Sequence, residues 1–180
     1  SEAFTVSSLL YRLGAVLFLL LSAGSGMAQS LDSTEDWSQV SAAARGDGLP
    51  VVVVVTGDGC GHCERMRRDL LADPETCVLL NGQAVAREFH RETGGKVTDF
   101  DGEQVRSRVF LSRYQVFATP TVLFLDSKGE PLTEPLVGYS DAEAYRQLVE
   151  ERLEQARFVL TARVGESAPA LVDVSRPTAR

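Results

Sequence analysis

At 180 residues, with 44% apolar and 24% charged side chains and a formal net charge of −7, the chain has room for one domain with a sizeable core and a tail. Its acidic balance and dispersed basic residues argue against a nucleic-acid partner, because nothing would neutralise the phosphates. The same charge describes a solvated, self-repelling surface, which suits a soluble monomer.

The N-terminus differs in kind from the rest. Arg12 precedes the apolar run Leu13–Leu21 and the small-residue stretch Ser22–Ala28, the layout of a secretory signal peptide with Gly26 and Ala28 at the small positions before a cut after Ala28. Spanning a bilayer takes about 20 mostly apolar residues. This run is short and interrupted, so cleavage is expected over retention as an anchor. The expected organisation is a signal peptide over 1–28, a domain over 29–160 and a flexible tail over 161–180.

Within the domain, Ser33-Thr-Glu-Asp36 is a capping-box pattern ahead of a short amphipathic helix, Trp37–Ala44, with Trp37 and Val40 inward. Arg45-Gly-Asp-Gly-Leu-Pro50 ends it, and the Arg-Gly-Asp tripeptide reads as a turn rather than an adhesion signal. Val51–Val55 is an unbroken β-branched run of the kind that suits a strand buried on both faces. After the Gly57-Asp-Gly59 turn, a helix is predicted from about Cys60, with Met66, Leu70 and Leu71 on its apolar stripe and Arg65, Arg67, Arg68 and Asp69 mostly outside it. Asp73 and Pro74 then cap and open another helix, which runs to Asn81-Gly82. Cys77 is expected in its packed side as a small hydrophobe, with a regulatory thiol as the alternative.

Residues 83–90 follow as a strand that sets Ala84, Ala86 and Glu88 against Val85, Arg87 and Phe89, with His90 as a solvated residue at its end. A loop over 91–102 leads to a helix over Glu103–Tyr114, capped by Asp101, with Val105, Val109, Phe110 and Tyr114 inward. Val122–Asp126, the turn Ser127-Lys-Gly129 and Leu132–Val137 predict an antiparallel hairpin. Asp141 caps a last helix, Ala142 to about Arg157, with Tyr145, Leu148, Val149 and Leu153 on one face.

Two of the three cysteines sit where a helix begins. Cys60 falls at or near the N-cap, where unpaired N–H groups and the helix dipole favour thiolate over thiol. Cys63 follows one turn later, close enough to bridge, so the pair can switch between dithiol and disulfide. An exported protein staples itself with well-separated cysteine pairs. A close pair closes almost no loop and contributes little stability, so its value lies in its chemistry.

The stretch Val51–Leu71, with Cys60-Gly61-His62-Cys63 at its centre, together with Ala118-Thr119-Pro120-Thr121 running into Val122–Asp126, resembles the thioredoxin superfamily. The resemblance covers roughly residues 34–157. The Gly61-His62 dipeptide looks like that of protein disulfide isomerases, while the export signal and longer connections look most like periplasmic thioredoxin-related proteins, including those of sulfur-oxidising bacteria. The resemblance implies an α/β thioredoxin fold, with a central mixed β-sheet flanked by helices. It implies a periplasmic thiol–disulfide oxidoreductase that exchanges disulfides with exported protein thiols and is served by a membrane or periplasmic redox partner, with no cofactor or metal. By the same resemblance Thr119 and Pro120 belong to the substrate-binding site, the proline held cis opposite the disulfide; a trans proline opening an edge strand is the alternative.

In this reading Cys60 attacks and Cys63 resolves the mixed disulfide. His62, with Gly61, tunes the pair, because a protonated imidazole beside Cys60 stabilises its thiolate; a solvent-facing His62 without a role is the alternative. Two departures from the family pattern stand out. Gly59 replaces the tryptophan common before the first cysteine, and Val54 replaces the buried acid common six positions before it. Proton removal from Cys63 is then left to water, Asp58 or Glu64. A reductase or electron carrier is expected over an oxidase or isomerase, because no oxidase-type helical insertion separates Cys63 from Pro120. A different class of function, a Cu(I) metallochaperone, would use Cys60 and Cys63 with His62 or His90. A non-catalytic binding module would lock the pair as a buried disulfide.

Overall fold

The computed structural model describes residues 31–167; the expected signal peptide and residues 168–180 lie outside them. In chain order the elements are α1 (Trp37–Asp47), β1 (Val51–Thr56), α2 (Gly61–Met66), which continues as a π-helical turn (Arg67–Leu71), α3 (Pro74–Gln83), β2 (Val85–His90), β3 (Lys96–Thr98), β4 (Gln104–Arg106), α4 (Ser107–Arg113), β5 (Thr121–Leu125), β6 (Leu136–Val137) and α5 (Ala142–Ser167). The main sheet has the order β2-β1-β5-β6. Strand β1 runs parallel to β2 and antiparallel to β5, and β5 is antiparallel to β6. A mixed sheet with the expected hairpin at one side therefore forms the centre.

Every residue of β1 is buried, because helices cover both faces of the sheet. On one face Val52, Val54, Ala84, Ala86, Val122 and Phe124 pack against Met66, Leu70, Leu80, Tyr145, Val149 and Leu153. On the other, Val51, Val53, Val55, Phe89 and Leu123 pack against Trp37, Val40, Phe100 and Phe110. This two-sided cover is why the strand reads as a continuous apolar run instead of an alternation. The α2 helix and its two cysteines ride on the first face.

Local chemistry explains where the elements begin and end. Helix α1 is capped by Asp36, whose Oδ1 accepts from the N–H groups of Ser38 and Gln39 at 3.1 and 3.4 Å, so the capping function sits at Asp36 and not at Ser33. Asp73 caps α3 by accepting from Thr76 N–H at 2.9 Å. Asp141 accepts from Ala144 N–H at 3.0 Å at the start of α5. Gly129, in the hairpin turn with φ +83°, has no room for a side chain: a Cβ there would meet Phe100 at 2.7 Å and the Tyr114 hydroxyl at 2.9 Å.

Several sequence expectations are corrected. Residues 91–106 hold a small antiparallel hairpin, β3–β4, so the helix expected from Glu103 starts only at Ser107. Asp101 accepts from Glu103 N–H at 3.0 Å inside that hairpin turn and caps no helix. Val109 and Leu148 are 41% and 40% exposed and not inward, because the shorter α4 and the actual rotation of α5 present Phe110 and Leu111, and Tyr145, Val149 and Leu153, to the core. Helix α5 runs ten residues beyond Arg157, through Ser167, so 161–167 is helix where a flexible tail was expected.

Candidate active site

The site is built from the junction of β1 and α2. After Thr56 the chain turns through Gly57-Asp58-Gly59, and Gly59 adopts φ 64°, a left-handed conformation in which a side-chain-bearing residue is strained. That gives a local reason for glycine before the first cysteine. Cys60 is the N-cap of α2, with extended φ −83° and ψ 92°. Its sulfur accepts from Cys63 N–H at 3.1 Å, and its carbonyl accepts from Glu64 N–H at 3.1 Å. Sulfur thus occupies the place where a capping oxygen ordinarily satisfies an orphan helix donor, and negative charge on it is favoured by the same N–H and by the dipole.

Cys60 and Cys63 form a disulfide, with S–S 2.07 Å and Cα–Cα 5.2 Å. The two sulfurs are not equivalent. Cys60 is half-buried at the surface end of the helix, whereas Cys63 is 0% exposed. A nucleophile from solution can reach only Cys60.

Against the disulfide lies the loop before β5. The Thr119–Pro120 peptide bond is cis, Pro120 is buried and Thr119 half-buried. The Thr119 carbonyl oxygen is 3.4 Å from Cys60 Sγ. Two bonds fix this loop: Thr121 Oγ1 donates to Ala118 O at 2.8 Å, and Gly138 N–H donates to Pro120 O at 2.8 Å. The structure therefore brings Cys60, Cys63, Thr119 and Pro120 together.

His62 and Gly61 are exposed on the first turn of α2. His62 Nδ1 lies 2.9 Å from the Tyr139 carbonyl oxygen and 2.8 Å from Arg65 Nη2. Only one of these is a hydrogen bond at a time. The carbonyl requires a proton on Nδ1, the guanidinium a lone pair. His62 thus packs into the rim of the site, between the α2 surface and the loop after β6.

Between β2 and the helix that carries the cysteines is a charged group that sequence reasoning missed. Glu88 of β2 is 9% exposed and Thr56 is 0% exposed. Thr56 Oγ1 donates to Glu88 Oε1 at 2.5 Å, and Arg67, one turn beyond Cys63, donates to the same oxygen from both Nη2 and Nε. Arg67 also reaches Glu64 Oε1 at 2.6 Å and Thr56 Oγ1 at 3.1 Å. Arg67 is therefore not outside the helix–sheet interface as expected. Its guanidinium pKa is raised, first by the hydrogen bond to Glu88. A signal was available: Glu88 continues the Ala84, Ala86 face of an otherwise buried strand, where an acid needs a partner.

Two other predicted residues lie apart from the disulfide. His90 is half-buried, not simply solvated: its Nε2 lies 3.3 Å from Asp58 Oδ1 and its Nδ1 3.7 Å from Glu92 Oε2. The carboxylates flank opposite nitrogens of the ring. This Asp58–His90–Glu92 group is the cluster of possible metal-ligating side chains among the described residues, and neither cysteine belongs to it. Cys77 is half-buried on α3 and not in the core, its thiol donating to Leu71 O at 3.1 Å. Burial, then the charge of Asp73, pushes that thiol pKa up.

Comparison with known proteins adds the following. Residues 38–153 match a family profile described as a thioredoxin-like domain. No curated protein matches the chain. Among solved structures, a thioredoxin from Thermus thermophilus superposes with TM-score 0.56 at 23% identity, over 79% of this chain and 99% of that one. A putative disulphide-isomerase from Bacteroides thetaiotaomicron gives 0.53 at 24%, over 71% and 98%. The C-terminal domain of DsbD from Neisseria meningitidis, in its oxidised form, gives 0.51 at 21%, over 64% and 90%. At these identities the likeness is one of fold. Among the described residues no helix is long and apolar enough to cross a membrane.

Proposed function

The chain belongs to the thioredoxin-like family and carries the Cys60–Cys63 pair of a thiol–disulfide oxidoreductase; from that premise we propose that it is exported to the periplasm and exchanges disulfides there with exported proteins, as a reductase or electron carrier. The observation that carries the reading is the asymmetry of the disulfide. Cys60 is accessible, sits at a helix N-cap and faces the Thr119 carbonyl; Cys63 is sealed beneath it.

Exchange proceeds by attack of the Cys60 thiolate on a substrate disulfide. One substrate sulfur leaves as thiolate, and the other stays bound to Cys60. Cys63 then loses its proton and attacks Cys60 Sγ, which expels the second substrate sulfur and re-forms the internal disulfide. The substrate is reduced by two electrons, and a redox partner of the same chemistry reduces the pair again. Thr119 and Pro120 receive the substrate backbone beside Cys60, and His62 with Gly61 sets how strongly the thiolate is favoured. Export rests on the residue pattern of 1–28. The direction rests on the short chain between Cys63 and Pro120, which lacks an inserted helical domain; a disulfide oxidase or isomerase, which the Gly61-His62 dipeptide suits, is the second reading.

The test is a trap. With Cys63→Ser, Cys60 attacks and cannot be released, so exported proteins accumulate as reducible adducts in an acid-quenched periplasmic pull-down. Recovery of no adducts, together with tight stoichiometric Cu(I) uptake by the unmodified protein, would favour a metal carrier instead.

A further inference from the structure

Strands β1 and β2 run parallel, with Thr56 paired to His90, so both end at one edge of the sheet, the carboxyl edge outside which open α/β sheets bind ligands. Two loops leave that edge side by side. Gly57-Asp58-Gly59 leads to Cys60, and Arg91-Glu92 follows β2. They are tied together: Arg91 N–H donates to Thr56 O at 3.0 Å, Asp58 N–H donates to Glu92 Oε2 at 3.0 Å, and Thr93 N–H donates to His90 O at 3.0 Å. The fit is so close that Gly57 admits no side chain, since a Cβ there would meet Arg91 Cδ at 2.9 Å and Glu92 Oε2 at 3.0 Å.

On this frame Asp58, His90 and Glu92 converge, and one ligand atom from each lies within 4.8 Å of the other two. Their separations are not those of a hydrogen-bonded triad. An imidazolium held by carboxylates draws them to about 2.7–2.9 Å, whereas Asp58 Oδ1 stands 3.3 Å from His90 Nε2 and Glu92 Oε2 stands 3.7 Å from Nδ1. A shared metal ion accounts for the shorter of these. Zinc binds imidazole nitrogen and carboxylate oxygen at about 2.0–2.2 Å, so two such ligands at the tetrahedral angle stand about 3.3–3.5 Å apart. Asp58 and His90 are already at that spacing. Glu92 is the member that has to turn: its side chain is 40% exposed, Oε2 is held by the Asp58 N–H, and Oε1, at 3.5 Å from Arg91 Nε, is the oxygen available to an ion.

Charge and ligand type agree with this. Two carboxylates flank the ring, and among the described residues the cation set against them is the Arg91 guanidinium, 3.5 Å from Glu92. A divalent ion supplies the charge that is missing. Magnesium and calcium take oxygen ligands, and Cu(I) takes soft thiolates. One imidazole with two carboxylates suits zinc, with water completing the shell.

We propose that Asp58, His90 and Glu92 form a zinc site that braces the turn before Cys60 against the end of β2. Neither cysteine of the pair is a ligand, so the site stands or falls independently of the oxidoreductase reading.

The experiment titrates zinc chloride into the oxidised full-length protein, in which Cys60 and Cys63 are bonded to each other and cannot ligate. Calorimetry should find one zinc per chain, and cobalt in its place should give visible ligand-field absorption. At about a hundred times the dissociation constant, zinc should raise the melting temperature by roughly 10 °C. His90→Ala, Asp58→Asn and Glu92→Gln should each weaken binding by more than about a hundredfold, the upper range for loss of even an outer-shell partner, and abolish the zinc-induced rise. Their metal-free melting curves show whether each variant is folded. Cys77→Ser should bind as the unmodified protein does. Absence of zinc binding by the oxidised protein, binding undiminished in His90→Ala, or binding lost in Cys77→Ser would overturn the proposal. Binding that appears only after reduction would assign the metal to the cysteines and overturn it equally.

Discussion

Phe110→Ala should separate the stability of the fold from the chemistry of the site. Phe110 is 0% exposed and its ring centroid lies 5.5 Å from Trp37, 5.4 Å from Phe89, 6.2 Å from Phe100 and 5.4 Å from Tyr114. Truncating a residue so enclosed leaves a cavity that its rigid aromatic neighbours cannot fill, so the expected cost is about 4 kcal/mol. Against a total stability of about 5–15 kcal/mol, the protein survives at room temperature with its melting temperature lowered by roughly 10–15 °C. The cluster lies on the sheet face opposite α2. The reduction potential of the Cys60–Cys63 pair, measured by glutathione titration well below the melting point, should therefore move by less than about 10 mV, equivalent to roughly 0.5 kcal/mol. A melting temperature lowered by less than about 4 °C would refute the packing argument. A potential shifted by about 30 mV or more would refute the independence of the two faces.

In the reduced protein at neutral pH, Cys60 should be the one thiol alkylated quickly, since Cys63 is sealed and burial holds Cys77 toward the thiol; mass mapping that finds Cys63 or Cys77 labelled as fast would reverse the assignment of roles. His62→Pro keeps the helix, because its position in the first turn uses no intrahelical N–H bond, and should lower the reduction potential by tens of millivolts, at about 30 mV per 1.4 kcal/mol; an unchanged potential leaves His62 a rim residue. Tyr114 has its phenol pushed up to about 12, chiefly by burial. A folded pKa above the unfolded one gives stability that is full below the ordinary tyrosine range and lost as pH rises through about 12. Ultraviolet titration should therefore show Tyr114→Phe removing a late-titrating phenol, and a variant that loses only a normal one would contradict this burial.

What the sequence by itself determined is local. Val51–Val55, the glycine turn and Cys60 at a helix start are fixed by β-branching, by backbone freedom and by orphan N–H groups, all acting within a few residues. Asp73-Pro74 and Asp141 are legible for the same reason, because a cap bonds to residues two or three positions away. Strands β1 and β5 are legible because their apolar character is continuous, and β2 because its residues alternate, whereas the hairpin β3–β4 is not, because its strands are three residues each, partly exposed, and held by pairing more than by pattern.

Tertiary structure alone decided how the charged residues are spent. Arg67 and Glu88 lie 21 positions apart on segments whose patterns separately suggested a solvated face and an alternating strand. Only the parallel register of β1 and β2 sets Glu88 across from Val54, beneath the helix that carries Cys63. The same holds for His90, placed against Asp58 by the ends of neighbouring parallel strands, and for the Thr119 carbonyl, 59 positions from the sulfur it faces. Propensity and capping act through the chain, and register acts across it. A buried charge must find its partner wherever the sheet brings one, because leaving it unpaired in the interior costs more than any local preference supplies.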